Sequence, residues 1–426
     1  MKMLMIFAFL FASMAANAQE GRWKGELEIQ ATKLPLVFQF LNGKCTLDSP
    51  KQNVHGIEAE WTPDGNGEVK IYIPMLGASY SGKMEGCEIK GKFRQLFTDF
   101  PLNLVKMSLN RPQTPVAPFP YSTEEVKFKN GDVELNGTLT LPANSSKDIP
   151  VLLMVTGSGP QNRDEELVEH KPFAVIADAF ARNGIATLRY DDRFFDDKSK
   201  DFSDFTTYDF KDDACAGVEF LRRRFSHVGV LGHSDGGTVA LMLAAEGKID
   251  FVVSLAGVGG SGKENLVLQN KAMLIGYGIS SDDADKYCEV LRVVFDKMAK
   301  GESLDDLAIP NTLPQGLQDN LMSLRVQSKI PYISTLLSID LEKSLEKIKC
   351  PVLALNGTRD MQVDCKYNLG ALEKGLVNCK HKIKALDELN HMFQHCKTGA
   401  VEEYEEIEET ISPEALEEMI GFIKTM

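Results

Sequence analysis

Apolar and polar residues alternate with a period of two through the first quarter of the chain. The runs ELEIQ (26–30), LVFQF (36–40), VKIYI (69–73) and CEIKGKF (87–93) each place every second side chain on one face. Turn-forming residues separate them, as at Leu41-Asn42-Gly43 and Pro63-Asp64-Gly65-Asn66-Gly67. The opening Gly21-x-Trp23-x-Gly25-x-Leu27 alternates in the same way. This pattern predicts a small all-β domain over residues 19–110, an antiparallel barrel or sandwich. It carries no catalytic constellation. A structural module is the first reading, and a carbohydrate- or partner-binding module the second. Residues 111–121, RPQTPVAPFPY, hold four prolines, which favour extended backbone. They read as an interdomain linker.

The period changes from residue 122. Two strands around Glu125–Lys129 and Val133–Leu141 flank Asn130-Gly131-Asp132, a hairpin signal. Continuous apolar runs follow: VLLMV (151–155), IATLRY (185–190), VGVLG (228–232), FVVSLAG (251–257) and PVLALNG (351–357). Such runs suit strands buried on both faces of a mainly parallel sheet. Residues 172–183 and 212–224 have helical spacing between them. A last helix starts with Ser412 as cap and Pro413 at its first position. Residues 258–345 break the alternation and read as a mostly helical cap insert, with Ser280–Gly301 as one segment. The expected fold class is therefore α/β, residues 122–426, behind an all-β domain.

The N-terminal residues modify this picture. Lys2, the apolar stretch 4–14 and Ala16-Asn17-Ala18 match a secretory signal peptide over residues 1–18, leaving Gln19 as the first mature residue. The competing reading is a retained anchor, but the stretch is short for a bilayer. No later segment has 18 consecutive apolar residues, so no transmembrane segment is expected in the mature chain. The expected location is periplasmic or extracellular. A formal net charge of −14 argues against a nucleic-acid partner, which calls for a basic surface. Export permits disulfides. Of the eight cysteines, Cys45 and Cys87 are the only two in the N-terminal region, and they form the candidate pair. No cysteine or histidine spacing matches a zinc site.

The candidate chemistry centres on Gly232-His233-Ser234-Asp235-Gly236. The motif follows the apolar strand VGVL and precedes the helical pattern TVALMLAAE. A serine on that strand-to-helix turn is strained and exposed above the sheet. The helix N-terminus beside it supplies N–H groups and a positive dipole end. The competing readings are a glycine-rich connection or a phosphate cradle, but the Walker pattern is absent.

A serine hydroxyl needs a base to take its proton. Among seven histidines, His391 stands on the loop beyond the strand-like HKIKALDEL, where it can reach over the sheet edge. His395, four residues on, is the main competitor, and His381 opens the strand at the wrong end. Asp360 follows the strand PVLALNG and can orient the base. The order Ser234, Asp360, His391 makes a Ser-His-Asp triad. The loop Thr156-Gly157-Ser158-Gly159-Pro160 after the first core strand can supply a second oxyanion donor. The backbone N–H groups of Ser158 and Asp235 are assigned to that role.

VTGSGPQNRDE (155–165), RYDDR (189–193), GHSDGG (232–237), PVLALNGTRDMQV (351–363) and NHMF (390–393) together resemble the α/β-hydrolase superfamily. More narrowly, they are similar to serine-aminopeptidase-like secreted esterases with an N-terminal β domain. The resemblance implies cleavage of carboxylic esters through an acyl-enzyme, with no metal or organic cofactor. It implies a small-molecule ester substrate, an acylated carbohydrate among the candidates. Such esterases usually carry a glycine-rich stretch after RYDDR. Here the chain reads Arg193-Phe194-Phe195-Asp196-Asp197-Lys198-Ser199, a loop that could line the site. Tyr332–Leu337 in the insert reads as buried in the cap, with a pocket wall as the second reading. A serine peptidase with the same triad is one alternative. A non-catalytic sugar- or lipid-binding protein on a hydrolase fold is the other.

Overall fold

Every second side chain of the N-terminal strands is apolar, so the strands must bend around a shared interior. A computed structural model of the protein shows how. It describes residues 21–426 except 30, 31, 42, 43, 50, 51, 53, 64–66, 97, 108, 198, 201, 202 and 329. The proposed signal peptide lies outside the described residues. The chain divides into two compact units, one ending at Asn110 and the other beginning at Arg111.

The first unit contains β1 (Gly21–Ile29), β2 (Thr32–Leu41), β3 (Lys44–Ser49), β4 (Val54–Pro63), β5 (Glu68–Ile73), β6 (Ala78–Glu85), β7 (Glu88–Gln95), β8 (Thr98–Pro101) and β9 (Leu104–Lys106). Neighbours from β1 to β7 pair antiparallel in sequence order. β9 pairs with both β7 and β1, which closes the sheet into a barrel. Trp23, Leu27, Phe38, Phe40, Leu47, Ile71, Tyr80 and Phe93 fill the interior.

The Cys45–Cys87 pairing is not found. Cys45 is an inward-facing free thiol in the barrel core, and burial pushes its pKa up to about 12. Cys87 is an exposed free thiol in the turn between β6 and β7. Sharing the N-terminal region does not align them: β3 is separated from β6 by β4 and β5.

The second unit is built on an eight-stranded sheet in the order β10-β11-β13-β12-β14-β15-β16-β17. Its strands are β10 (Ser122–Asn130), β11 (Val133–Leu141), β12 (Pro150–Val155), β13 (Ala186–Tyr190), β14 (His227–His233), β15 (Val252–Leu255), β16 (Val352–Gly357) and β17 (His381–Leu386). β10 and β11 form an antiparallel hairpin that turns at Gly131-Asp132, β11 pairs antiparallel with β13, and the strands from β13 to β17 in sheet order are all parallel. Separate apolar cores cover the two faces. Around the sheet lie α1 (Pro172–Arg182), α2 (Thr207–Arg222), α3 (Asp235–Ala245), α8 (Cys365–Gly375) and α9 (Pro413–Ile423). α2 starts five residues earlier than the spacing suggests, because Thr206 and Asp209 form a capping box that stabilises the extra turn.

The stretch 258–345 holds α4 (Gly262–Gly276), α5 (Ser281–Ala299), α6 (Gln315–Gln327) and α7 (Pro331–Ser338). These helices share a core of their own, including Leu291, Phe295, Leu321 and Tyr332. Residues 111–121 differ from a free linker. Arg111 donates to the carbonyls of Val168, Glu405 and Ile407, and Gln113 clasps Thr410 and Ile411. Proline-rich backbone has few donors of its own, so these side chains dock the segment onto the α/β unit. Among the described residues, no helix is long and apolar enough to cross a membrane.

The chain's two tryptophans, Trp23 and Trp61, both belong to the barrel, so tryptophan fluorescence reports that unit alone. Phe38 is fully buried and its ring lies 5.5 Å from that of Tyr80. Phe38→Ala is expected to lower barrel stability by about 3–5 kcal/mol, the cost of an aromatic-sized cavity, in urea titrations read by that fluorescence.

Candidate active site

The sheet delivers Ser234 to its position by a turn with almost no free space. A Cβ on Gly232 would stand 2.0 Å from the Gly236 carbonyl oxygen, and one on Gly236 would stand 2.1 Å from that of Val155. Any side chain at either position would push β14, α3 and β12 apart. The turn holds Ser234 at φ 53° and ψ −119°, a strained conformation of order 1–3 kcal/mol for a residue with a side chain. The Ser234 N–H donates to the Leu255 carbonyl at 2.8 Å, which ties the turn to β15.

Asp360 and His391 come together at the same end of the sheet. His391 Nδ1 lies 2.7 Å from Asp360 Oδ2, and both side chains are almost wholly buried. The other carboxylate oxygen of Asp360 accepts from the N–H groups of Gln362 and Val363, at 2.7 and 2.8 Å. Three bonds thus fix the carboxylate and the ring it faces. His395 is engaged elsewhere, half exposed between Glu409 and Glu414. His381 sits at the start of β17, with Nδ1 near the Cys379 carbonyl.

His233, the residue before the serine, carries a second buried network. Its Nε2 lies 2.9 Å from the His391 carbonyl oxygen and its Nδ1 lies 2.8 Å from Glu165 Oε1. The two imidazole rings are 4.6 Å apart. Glu165 Oε1 also accepts the Gly157 N–H at 2.7 Å. One carboxylate oxygen therefore links the loop after β12, the elbow and, through His233, the loop that carries His391. Burial disfavours the His233 cation, but the Glu165 carboxylate outweighs it and the pKa is raised above the ordinary value.

The loop after β12 is clipped from several sides. Asp192 Oδ2 accepts from the Thr156 hydroxyl at 2.5 Å and the Gln161 N–H at 2.9 Å. Arg163 pairs with Asp191, and Arg189 with Asp164. RYDDR thus acts as a brace for the Ser158 loop. Arg193 points away from this loop and forms a buried two-pronged pair with Asp213, with a further bond to Asp209. Phe194, next in the departing stretch, packs on the core of the helical insert.

Ser158 and Asp235 border a cavity of about 30 Å³ beside Ser234. On either side of Ser158, the Gly157 N–H donates to Glu165 and the Gly159 N–H to the Tyr332 hydroxyl. Tyr332 comes from α7 of the insert and is fully buried. Its hydroxyl donates to Asp235 Oδ2 at 2.7 Å and also bonds Ser158. Burial and the Asp235 carboxylate push this phenol well up, so it stays protonated as the donor. One side chain of the insert therefore joins both backbone segments assigned as oxyanion donors. Leu336, from the same helix, lines the cavity.

Sequence reasoning missed Glu165, the partners of His233 and the reach of Tyr332. Glu165 lies inside VTGSGPQNRDE, but nothing local marks one acid of that run as buried. Tyr332 stood out only as part of an apolar stretch. Among the described residues, no cluster of three His, Cys, Asp or Glu side chains is placed to hold a metal ion.

A mainly parallel sheet led by an antiparallel hairpin, with a strained serine elbow after its fifth strand, is the α/β-hydrolase fold. The profile of the X-Pro dipeptidyl-peptidase (S15 family) matches residues 130–373, more than half of the chain, and the chain belongs to that family. It is 27% identical over 271 residues to Esterase EstD of Thermotoga maritima, an alignment covering 62% of this chain and 60% of that protein. The chain thus spans about 60% of the length of the curated relative it matches. Among solved structures, Est1E from Butyrivibrio proteoclasticus aligns with a TM-score of 0.41 and 16% identity, over 71% of this chain and 99% of that one. Proline iminopeptidase of Mycobacterium smegmatis aligns with a TM-score of 0.44 and 15% identity, over 71% and 98%.

The raised His233 pKa sets a direction for stability. A protonated His233 paired with Glu165 stabilises the fold below the ordinary histidine value of about 6.5, and the gain is lost as pH rises through the raised value. Glu165→Gln is expected to destabilise the fold more near pH 6, where the charged pair contributes, than at alkaline pH, where His233 is neutral in both proteins. Paired urea titrations of wild type and variant check this. A penalty that grows toward alkaline pH would reverse the assignment.

Proposed function

We propose that the α/β unit is a serine hydrolase that cleaves carboxylic esters of small molecules through an acyl-enzyme. The observation that carries the reading is the 2.7 Å His391–Asp360 pair at the sheet end where the strained Ser234 turn lies. Ser234 Oγ attacks the ester carbonyl while His391 accepts its proton. Asp360 orients the imidazole and stabilises its cation. The N–H groups of Ser158 and Asp235 receive the developing oxyanion. His391 then protonates the departing alcohol, and a water molecule repeats the sequence to release the acid and restore Ser234.

Esterase EstD supports the ester as substrate by its name, and the S15 family supports a second reading, a serine peptidase using the same groups. One acyl group offered both as a p-nitrophenyl ester and as a p-nitroanilide separates the two. Preference for the ester after correction for leaving-group reactivity is expected, and preference for the anilide would favour the peptidase. Export through residues 1–18 belongs to the same proposal and is tested by N-terminal sequencing of the mature protein.

Ser234→Ala is expected to remove p-nitrophenyl ester hydrolysis by about 10⁶-fold, and Asp360→Asn to lower kcat by about 10⁴-fold. A fluorophosphonate probe should label Ser234 in the wild type. Folded wild-type protein that resists labelling and turns over no ester would favour the non-catalytic binding protein.

A further inference from the structure

The insert contributes one face of α4 to the cavity beside Ser234. Gly262, Asn265, Leu266 and Gln269 line it at helical spacing, opposite Val258, Val363 and Leu336. Three amide side chains border this space, and two are committed to the protein. Asn265 donates to the Gln362 carbonyl and accepts from Asn368. Gln362 donates to the Tyr404 hydroxyl at 3.1 Å. Gln269 is only 4% exposed, and its amide makes no hydrogen bond to a described residue. Gln269 itself borders the cavity.

A buried amide without a partner is unfavourable, and a leucine on this face would cover the same apolar walls without that cost. The feature makes sense if a bound molecule supplies the partner. The cavity has room for about two or three water-sized groups. It therefore suits the short acyl part of a substrate, while the alcohol leaves toward solvent.

Building on the esterase reading, we infer that Gln269 selects short acyl groups that carry an oxygen or nitrogen atom close to the ester carbonyl. Such an atom would bond the Gln269 amide while its methylene neighbours contact Val258, Leu266, Leu336 and Val363. Gln269 is then a specificity residue for the substrate of Ser234. It takes no part in proton transfer.

The test compares p-nitrophenyl methoxyacetate with p-nitrophenyl butyrate, which differ by an ether oxygen in place of one methylene. Each kcat/KM is divided by the same ester's hydroxide-catalysed rate, so intrinsic reactivity cancels. The wild type is expected to favour methoxyacetate by about five- to tenfold, the effect of one neutral hydrogen bond. Gln269→Leu should abolish this preference, bringing the corrected methoxyacetate-to-butyrate ratio to about one. If that variant does not fold, Gln269→Met makes the same comparison with an unbranched side chain. A corrected wild-type ratio near one, or a ratio unchanged in the folded variant, would overturn the inference and leave the esterase reading intact. Turnover of neither ester above the Ser234→Ala background would overturn both.

Discussion

The turn between β14 and α3 leaves no room for a side chain at Gly232 or Gly236, and the site is arranged around that contact. Because backbone meets backbone there, the strand, the helix and β12 reach their closest approach at one point. Ser234 is forced into a left-handed conformation that its own side chain opposes. The packed sheet supplies the compensation, since its apolar strands are covered on both faces. The strain persists at the end of a rigid strand, where a nucleophile needs a fixed direction.

Around this turn, two buried carboxylates play different parts. Asp360 faces one imidazole and is held by two backbone N–H groups. Glu165 has a glycine N–H and the other imidazole as partners, and so joins three segments distant in sequence. Low dielectric strengthens such contacts and penalises any member left alone. The arrangement of the Ser158 loop relative to Ser234 is therefore set as one unit, with RYDDR bracing its outer side.

The helical insert is more than a cover. Tyr332 places one hydroxyl between Asp235 and the Ser158 loop, and α4 places Gln269 beside the nucleophile. The insert has its own apolar core, so α4 and α7 are held rigidly where they meet the site. The proposed chemistry would reside on the sheet and the proposed selectivity on the insert. Tyr332 nevertheless ties the two together, because the insert also holds the elbow and the Ser158 loop in place.

What the sequence by itself determined was whatever depends on neighbours along the chain. Period-two alternation marked the barrel strands, unbroken apolar runs marked the buried parallel strands, and GHSDGG between a strand and a helix located the elbow. The positions of Asp360 and His391 beyond successive strands were legible because strand order and loop side follow from a parallel sheet. Tertiary structure decided everything that depends on which distant side chains meet. It separated Cys45 from Cys87, docked the proline-rich segment, turned Arg193 onto Asp213, brought Glu165 to His233 and Tyr332 to Asp235, and left the Gln269 amide without a hydrogen bond to a described residue. These outcomes rest on distances between residues up to hundreds of positions apart. Burial and pairing there are properties of the packed fold, and no local pattern encodes them.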